Sequence, residues 1–268
     1  NRQASGVRIT VNAEDSTRKL RGSIQASGTV SPNPSSPAIV SGSVVNAASF
    51  SAQTPVAPGG LISIFGERLS DGIAAGGVPR DTLLNGTLVA LGGVALPLLY
   101  VSPSQINAIV PYGLPINTAL PMVVQRGTSL TVPVSIPIAP AQPAVFTTAS
   151  SGVGQGHIYV SGTTLAGSGN PARSGDTVVI FCAGLGAVDQ RVDAGSPAPV
   201  ANTLARATVT IGGKDASVAY SGLAPGFTGL YQINAVVPSG VTAAPDSPLV
   251  ITVAGQKSTT VTVAVAAK

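Results

Sequence analysis

The chain has no tryptophan, one cysteine, one histidine and one methionine, and only 9% of its residues are charged and 4% aromatic. Each scarcity removes a class of function. The lone Cys182 has no partner for an internal disulfide, and it lies in the apolar run Val178-Val179-Ile180-Phe181, so it is expected to be an inert thiol in a buried strand. The lone His157 has no Cys or carboxylate near it at ligand spacing, so no metal is expected and the ring is assigned to a surface or strand edge. Asp189, Asp193 and Asp215 lack the alternating spacing of a calcium loop and read as solvated turns. Ten carboxylates, most of them beside turn residues, offer little from which to assemble acid, base and nucleophile, and the chain is expected not to be an enzyme. The glycines between Gly152 and Gly156 look like a phosphate cradle, but Ile158, Tyr159 and Val160 continue as a strand where a helix would be needed, so no cofactor is expected. No window reaches the ~18 uninterrupted apolar residues of a membrane span, because Pro, Gly, Ser and Thr intervene.

What is abundant is strand-and-turn material. Gly numbers 32 and Pro 22, with Val, Ala, Ser and Thr filling most of the rest, and no helical periodicity persists beyond about ten residues. The net charge of +4 is concentrated at one end: residues 1–22 carry five basic and two acidic groups, the remainder nine and eight. With a nearly neutral body and no basic stripe, nucleic acid is not an expected partner. So few charges give a free surface little protection from association, and cover by neighbouring subunits or by sugar is expected. The chain begins at Asn1 without a leader pattern, as a mature exported protein would, and a secreted or cell-surface location is expected.

A repeat runs through the chain. The block Pro58-Gly59-Gly60-Leu61-Ile62-Ser63-Ile64-Phe65 is answered by Ser174-Gly175-Asp176-Thr177-Val178-Val179-Ile180-Phe181. Leu91-Gly92-Gly93 through Tyr100 is answered by Ile211-Gly212-Gly213 through Tyr220, and Gln105-Ile106-Asn107-Ala108-Ile109-Val110-Pro111 by Gln232-Ile233-Asn234-Ala235-Val236-Val237-Pro238. The offset grows along the chain, so the second unit has gained residues around Leu223-Ala224-Pro225-Gly226-Phe227. Each unit closes on two alternating strands. Collinear blocks of this kind indicate duplication, and about a hundred residues of short, evenly spaced strands per unit is the pattern of an immunoglobulin-like sandwich. The predicted fold is all-β, with tandem immunoglobulin-like β-sandwich domains at 42–142 and 143–268, behind a strand segment at 1–26 and a Ser/Pro/Gly linker at 27–41.

The phrases Val45-Asn46-Ala47-Ala48-Ser49-Phe50, Ala57-Pro58-Gly59-Gly60, Tyr100-Val101-Ser102-Pro103-Ser104-Gln105-Ile106-Asn107 and Ser221-Gly222-Leu223-Ala224-Pro225-Gly226-Phe227 with Leu230-Tyr231-Gln232-Ile233-Asn234 resemble a family of secreted bacterial proteins abundant in acidobacteria. That family's C-terminal region is similar to a pair of immunoglobulin-like domains. The resemblance implies fold and export, carries no activity, and begins near Gly42.

The segment before it alternates. Val7, Ile9, Val11 and Ala13 share one face of a predicted strand, after which the phase slips so that Leu20, Ile24 and Ala26 fall on even positions of a second, weaker strand. A lone strand needs a sheet. Either 7–13 folds back on the first domain, or it inserts into the sandwich of a neighbouring copy as a donor strand. Repetition of such a head-to-tail contact builds a filament, which gives the leading functional expectation: an extracellular fibre subunit whose partner is itself. The rival is a glycan- or protein-binding surface module using the loop at Phe227 and Tyr231, whose rings are suited to stacking on sugar. Attached sugar is expected at Asn85, the one unblocked acceptor, and at Thr147 and Thr148.

Overall fold

The computed structural model describes residues 5–15, 20–30, 35–52 and 54–267, and of the first two stretches the backbone alone. The described elements are strands, with no helix among them. The chain divides into two compact units, Asn1–Ser36 and Pro37–Lys268.

In the first unit the strands Ser5–Asp15 and Leu20–Val30 pair with each other in an antiparallel hairpin. The register sets Val7, Ile9, Val11 and Ala13 opposite Gly28, Ala26, Ile24 and Gly22. The expectation of one strand without a partner in its own segment is thereby corrected. The cause is parity. Asp15 pairs with Leu20, and an even-numbered connection sets every odd position of one strand against an even position of the other, so the slip in apolar phase is what a hairpin requires.

The second unit holds two sandwiches. In the first, one sheet runs Ala38–Asn46, Leu61–Glu67, Gln105–Ile109, Leu98–Val101, Ala74–Ala75, and the other runs Ser129–Leu130, Thr118–Arg126, Thr87–Leu91, Leu83–Leu84, with Val134–Ile138 on Thr118–Arg126. In the second, Ile158–Val160, Thr177–Ala183, Tyr231–Val236 and Lys214–Leu223 repeat the first order, and Gln256–Lys257, Ala244–Val253 and Ala207–Ile211 repeat the other, with Val261–Val265 on Ala244–Val253. Lys214–Leu223 is long enough to belong to both sheets: Lys214, Asp215 and Ala216 pair with Ile211, Thr210 and Val209, and Ser217–Leu223 pairs with Tyr231–Val236. Both sandwiches are immunoglobulin-like, and they share side-chain bonds as well as strand order. Thr131 Oγ1 takes the Val124 N–H at 3.0 Å and Ser258 Oγ takes the Ile251 N–H at 3.0 Å. Gln105 donates to Asn107 at 2.8 Å, and Gln232 to Asn234 at 2.7 Å.

Alternation builds the cores. Thr87, Val89 and Leu91 point inward on one strand and Ala207, Val209 and Ile211 on its counterpart, while the residues between them are half-buried or exposed. Ile64, Leu98, Ile106 and Met122 fill the first core, and Ile158, Ile180, Ile233 and Ile251 the second. At ~1.5–3 kcal/mol for each fully buried aliphatic side chain, these positions dominate the stability of each sandwich. Cys182 is fully buried among them, and burial pushes its thiol pKa up, so it stays protonated.

Candidate functional site

The two sandwiches pack against each other along a seam, and the residues gained by the second repeat help to build it. Thr228 Oγ1 receives a hydrogen bond from Arg80 Nε at 3.2 Å, and a Cβ on Gly229 would lie 2.9 Å from Ile109 and 3.1 Å from Leu61, so the loop lies directly on the first sandwich. Tyr231, at 0% exposure, is the largest fully buried side chain. Its hydroxyl donates to the Gly186 carbonyl at 2.6 Å and lies 3.2 Å from the Tyr112 hydroxyl, which comes from the first sandwich. Gly59, at φ +73, backs onto this pair; a Cβ there would sit 2.1 Å from the Tyr231 oxygen. Asn46, also buried, donates to Gln142 O at 2.8 Å and accepts the Ala48 N–H at 2.9 Å. Burial pushes the Tyr231 phenol well above its ordinary value of 10.0, with the adjacent Tyr112 adding to the effect.

An aromatic cleft of about 380 Å³ opens on this seam. Ala47 and Ala48 of the first sandwich line it, and behind the lining Ala48 packs with the buried Ala144 and Ala183 of the second. Three of the chain's five phenylalanines, Phe50, Phe146 and Phe181, line it together with the only histidine. The backbone sets three of these side by side: Phe146 N–H donates to Phe181 O, Phe181 N–H to His157 O, and His157 N–H to Phe146 O, at 3.1, 3.1 and 2.7 Å. In the strand Thr177–Ala183, Ile180 and Cys182 point into the core, so Phe181 projects from the other face. Tyr159 extends the row. Its ring stacks on His157 at 6.1 Å between centroids and 11° between planes, its hydroxyl meets His157 Nδ1 at 2.9 Å, and its edge contacts Phe181 at 5.7 Å.

Phe50 reaches the cleft from a turn closed by its own N–H on Asn46 O at 2.9 Å. It has φ +54, and Ser150 on the same lining has φ +50. A left-handed backbone is costly for a bulky aromatic residue, and such strain gathers at ligand clamps. Phe50 is nonetheless 37% exposed. The hydroxyl of Thr147, on the same lining, accepts the N–H groups of Ser151 and Gly152, each at 3.1 Å. No Asp, Glu, Lys or Arg lines the cleft.

Of the residues singled out from sequence, His157 and Thr147 line the cleft and the others fall elsewhere. Tyr231 was expected to stack on ligand, but it is buried with its hydroxyl engaged, because the seam closes over it. Phe227 is 57% exposed on the same loop and is not part of the cleft lining. Thr147 is buried with its oxygen in use, so it is corrected as a sugar-acceptor position, whereas Thr148 is exposed. Asn85 is exposed at φ +49 and followed by Gly86 at φ +71, the two-residue turn between Leu84 and Thr87; Asn-Gly here does the ordinary work of a hairpin turn. For Val7, Ile9, Val11 and Ala13 the structure gives the backbone register already described. Sequence reasoning missed Phe50, Phe146 and Phe181 as a group. The available signal was that three scarce aromatics sit out of phase with, or outside, the buried positions of their strands.

No protein-family model matches the chain, and no curated protein matches it in sequence. Among solved structures, it is similar to a Bacteroides ovatus mixed-linkage glucan utilization locus protein, SGBP-B, in complex with a mixed-linkage heptasaccharide, at 14% identity and a TM-score of 0.37, over 98% of this chain and 53% of that one. It is also similar to an SGBP-B from a complex xyloglucan utilization locus in Bacteroides uniformis, at 14% identity and TM-score 0.26, over 85% and 48%. The I9–I11 tandem of titin matches at 9% identity and TM-score 0.23, over 91% and 71%. The chain spans about half the length of the first two proteins. At these scores none of the three decides what this chain does.

Proposed function

We propose that this protein is an extracellular, non-catalytic recognition module that holds a sugar ring of a surface glycan in the aromatic cleft between its sandwiches. The observation that carries this reading is the concentration of three of five phenylalanines and the only histidine around one partly open cleft, in a chain otherwise poor in aromatics. Aromatic faces receive the C–H face of a sugar, and Ser150 and the His157 ring supply polar contacts at its edge. No carboxylate lines the cleft and His157 Nδ1 is engaged by Tyr159, which supports binding over acid–base chemistry.

Calorimetric titration against a panel of soluble neutral polysaccharides tests it. At least one should bind, and Phe50→Ala should weaken that binding by about tenfold, the scale of one lost aromatic contact of 0.5–1.5 kcal/mol plus its buried area. Failure of every neutral glycan at millimolar concentration, or an unchanged affinity in Phe50→Ala, overturns the reading.

The hairpin favours a second reading, self-assembly. A two-stranded ribbon is marginal alone in water, and Ser5–Asp15 with Leu20–Val30 leaves two outer edges able to extend a sheet. In this form a pre-paired hairpin, in place of a single donor strand, joins one copy to the next and builds a fibre.

A further inference from the structure

A second and larger groove, of about 670 Å³, also straddles the seam and differs in chemistry from the aromatic cleft. Pro97, Pro111 and Tyr112 line it from the first sandwich, and Arg191, Val192 and Asp193 from the second. Its two charged groups are not equivalent. Asp193 spends one carboxylate oxygen on the Gly195 N–H at 3.1 Å and the other on the Ser196 hydroxyl at 2.9 Å, closing its own turn. Arg191 is exposed and has no hydrogen bond or ion pair among the described residues. A planar guanidinium with free donors is matched by a carboxylate, which it grips through two parallel N–H bonds. The proline, valine and tyrosine walls beside it offer an apolar bed for the body that carries such an acid, too large a surface for a simple ion.

We infer that this groove is a binding site for a carboxylated sugar, a uronic acid residue of an acidic polysaccharide, with Arg191 holding the carboxylate and the walls around Tyr112 receiving the ring. The groove carries one cation with free donors and one anion whose two oxygens are both occupied by its own turn, whereas no Asp, Glu, Lys or Arg lines the aromatic cleft. The choice of a sugar as the body of the acid rests on the glycan recognition proposed above, while the site itself is built from residues other than those of the cleft.

Calorimetric titration of the full chain with an oligogalacturonate, and with its methyl ester, separates the possibilities. The acid should bind, the ester about tenfold or more weakly, and Arg191→Ala should lose the acid by about the same factor, as the loss of a charge-assisted hydrogen bond requires. Arg191→Lys should retain part of the affinity, and added salt should lower it. Because Arg191 is exposed and makes no described contact, its removal should leave the melting temperature unchanged, which excludes misfolding as the cause. Phe50→Ala should not alter uronate binding, so failure of the cleft and failure of the groove are told apart. Equal binding of acid and ester, unchanged affinity in Arg191→Ala, or no binding of the acid at millimolar concentration overturns the inference. So does capture of a peptide C-terminal carboxylate in preference to the uronate.

Discussion

Tyr231 lies inside the protein as a phenol whose burial is tolerable only because its hydroxyl is fully employed, donating to Gly186 O and meeting Tyr112. Removing the hydroxyl in Tyr231→Phe leaves the Gly186 carbonyl and the Tyr112 hydroxyl short of a partner. The expected cost is about 1–3 kcal/mol of unfolding free energy, measured by urea titration. The pH dependence has a definite sign. The folded-state pKa is raised above 10.0, so the folded protein holds this proton more tightly than the unfolded chain does. The stabilisation is complete below pH 10.0 and falls away as pH rises above it towards the folded value. Wild type should therefore lose stability as pH rises above about 10, and Tyr231→Phe should lose less. The buried Cys182 thiol, Tyr112 and Tyr220, whose pKa values burial also raises, contribute to the alkaline loss in both proteins. Identical pH profiles for the two proteins would show that the Tyr231 proton plays no part.

Among the elements, the repeated strands were legible because local rules determine them. Gly92-Gly93 and Gly212-Gly213 take positive φ at the matching hairpins, and the inward series Val89, Leu91 and Val209, Ile211 can be read from alternation alone. The expanded loop of the second repeat was also visible, but its purpose was not. Its role depends on Arg80, Ile109 and Leu61, far away in sequence, and no local pattern encodes that meeting. Phe181 was likewise visible as a strand residue, while its place beside Phe146 and His157 depends on how three separate segments line up. The hairpin illustrates the same limit, since the phase slip was seen but its meaning required the register. If the hairpin carries assembly, negative-stain microscopy and light scattering should show filaments of the full chain and folded monomers of a version lacking residues 1–36. Monomers in both samples would end the fibre reading, whereas filaments in both would end the hairpin's part in it, because the assembling surface would then lie elsewhere.

At the scale of the molecule, three of the phrases that carry the resemblance converge on one place. Asn46 and Phe50 of the first, Gly59 of the second and Tyr231 of the last all stand at the seam or on the cleft beside it. The sequence pattern thus marks the docking of two sandwiches, where a flexible tandem would need only a linker. A seam of buried hydroxyls and close glycine contacts tolerates little sliding, because interiors are packed to crystal-like density. It follows that residues 37–268 should unfold as one cooperative unit, giving a single calorimetric transition with equal calorimetric and van't Hoff enthalpies. Gly59→Ala is the discriminating variant. Its new methyl would fall 2.1 Å from the Tyr231 oxygen and 2.4 Å from that of Tyr112, so the seam must open to admit it; the first core is not touched, and in the second the clash falls on the hydroxyl of Tyr231 at the edge of the core. Two separate transitions should then appear, and glycan binding should vanish although both sandwiches remain folded, since the cleft takes Phe50 from one and Phe146, His157 and Phe181 from the other. Two transitions in the unaltered protein would mean that the seam is too weak to couple the domains. The cleft would then be a surface that forms only when ligand draws its two walls together.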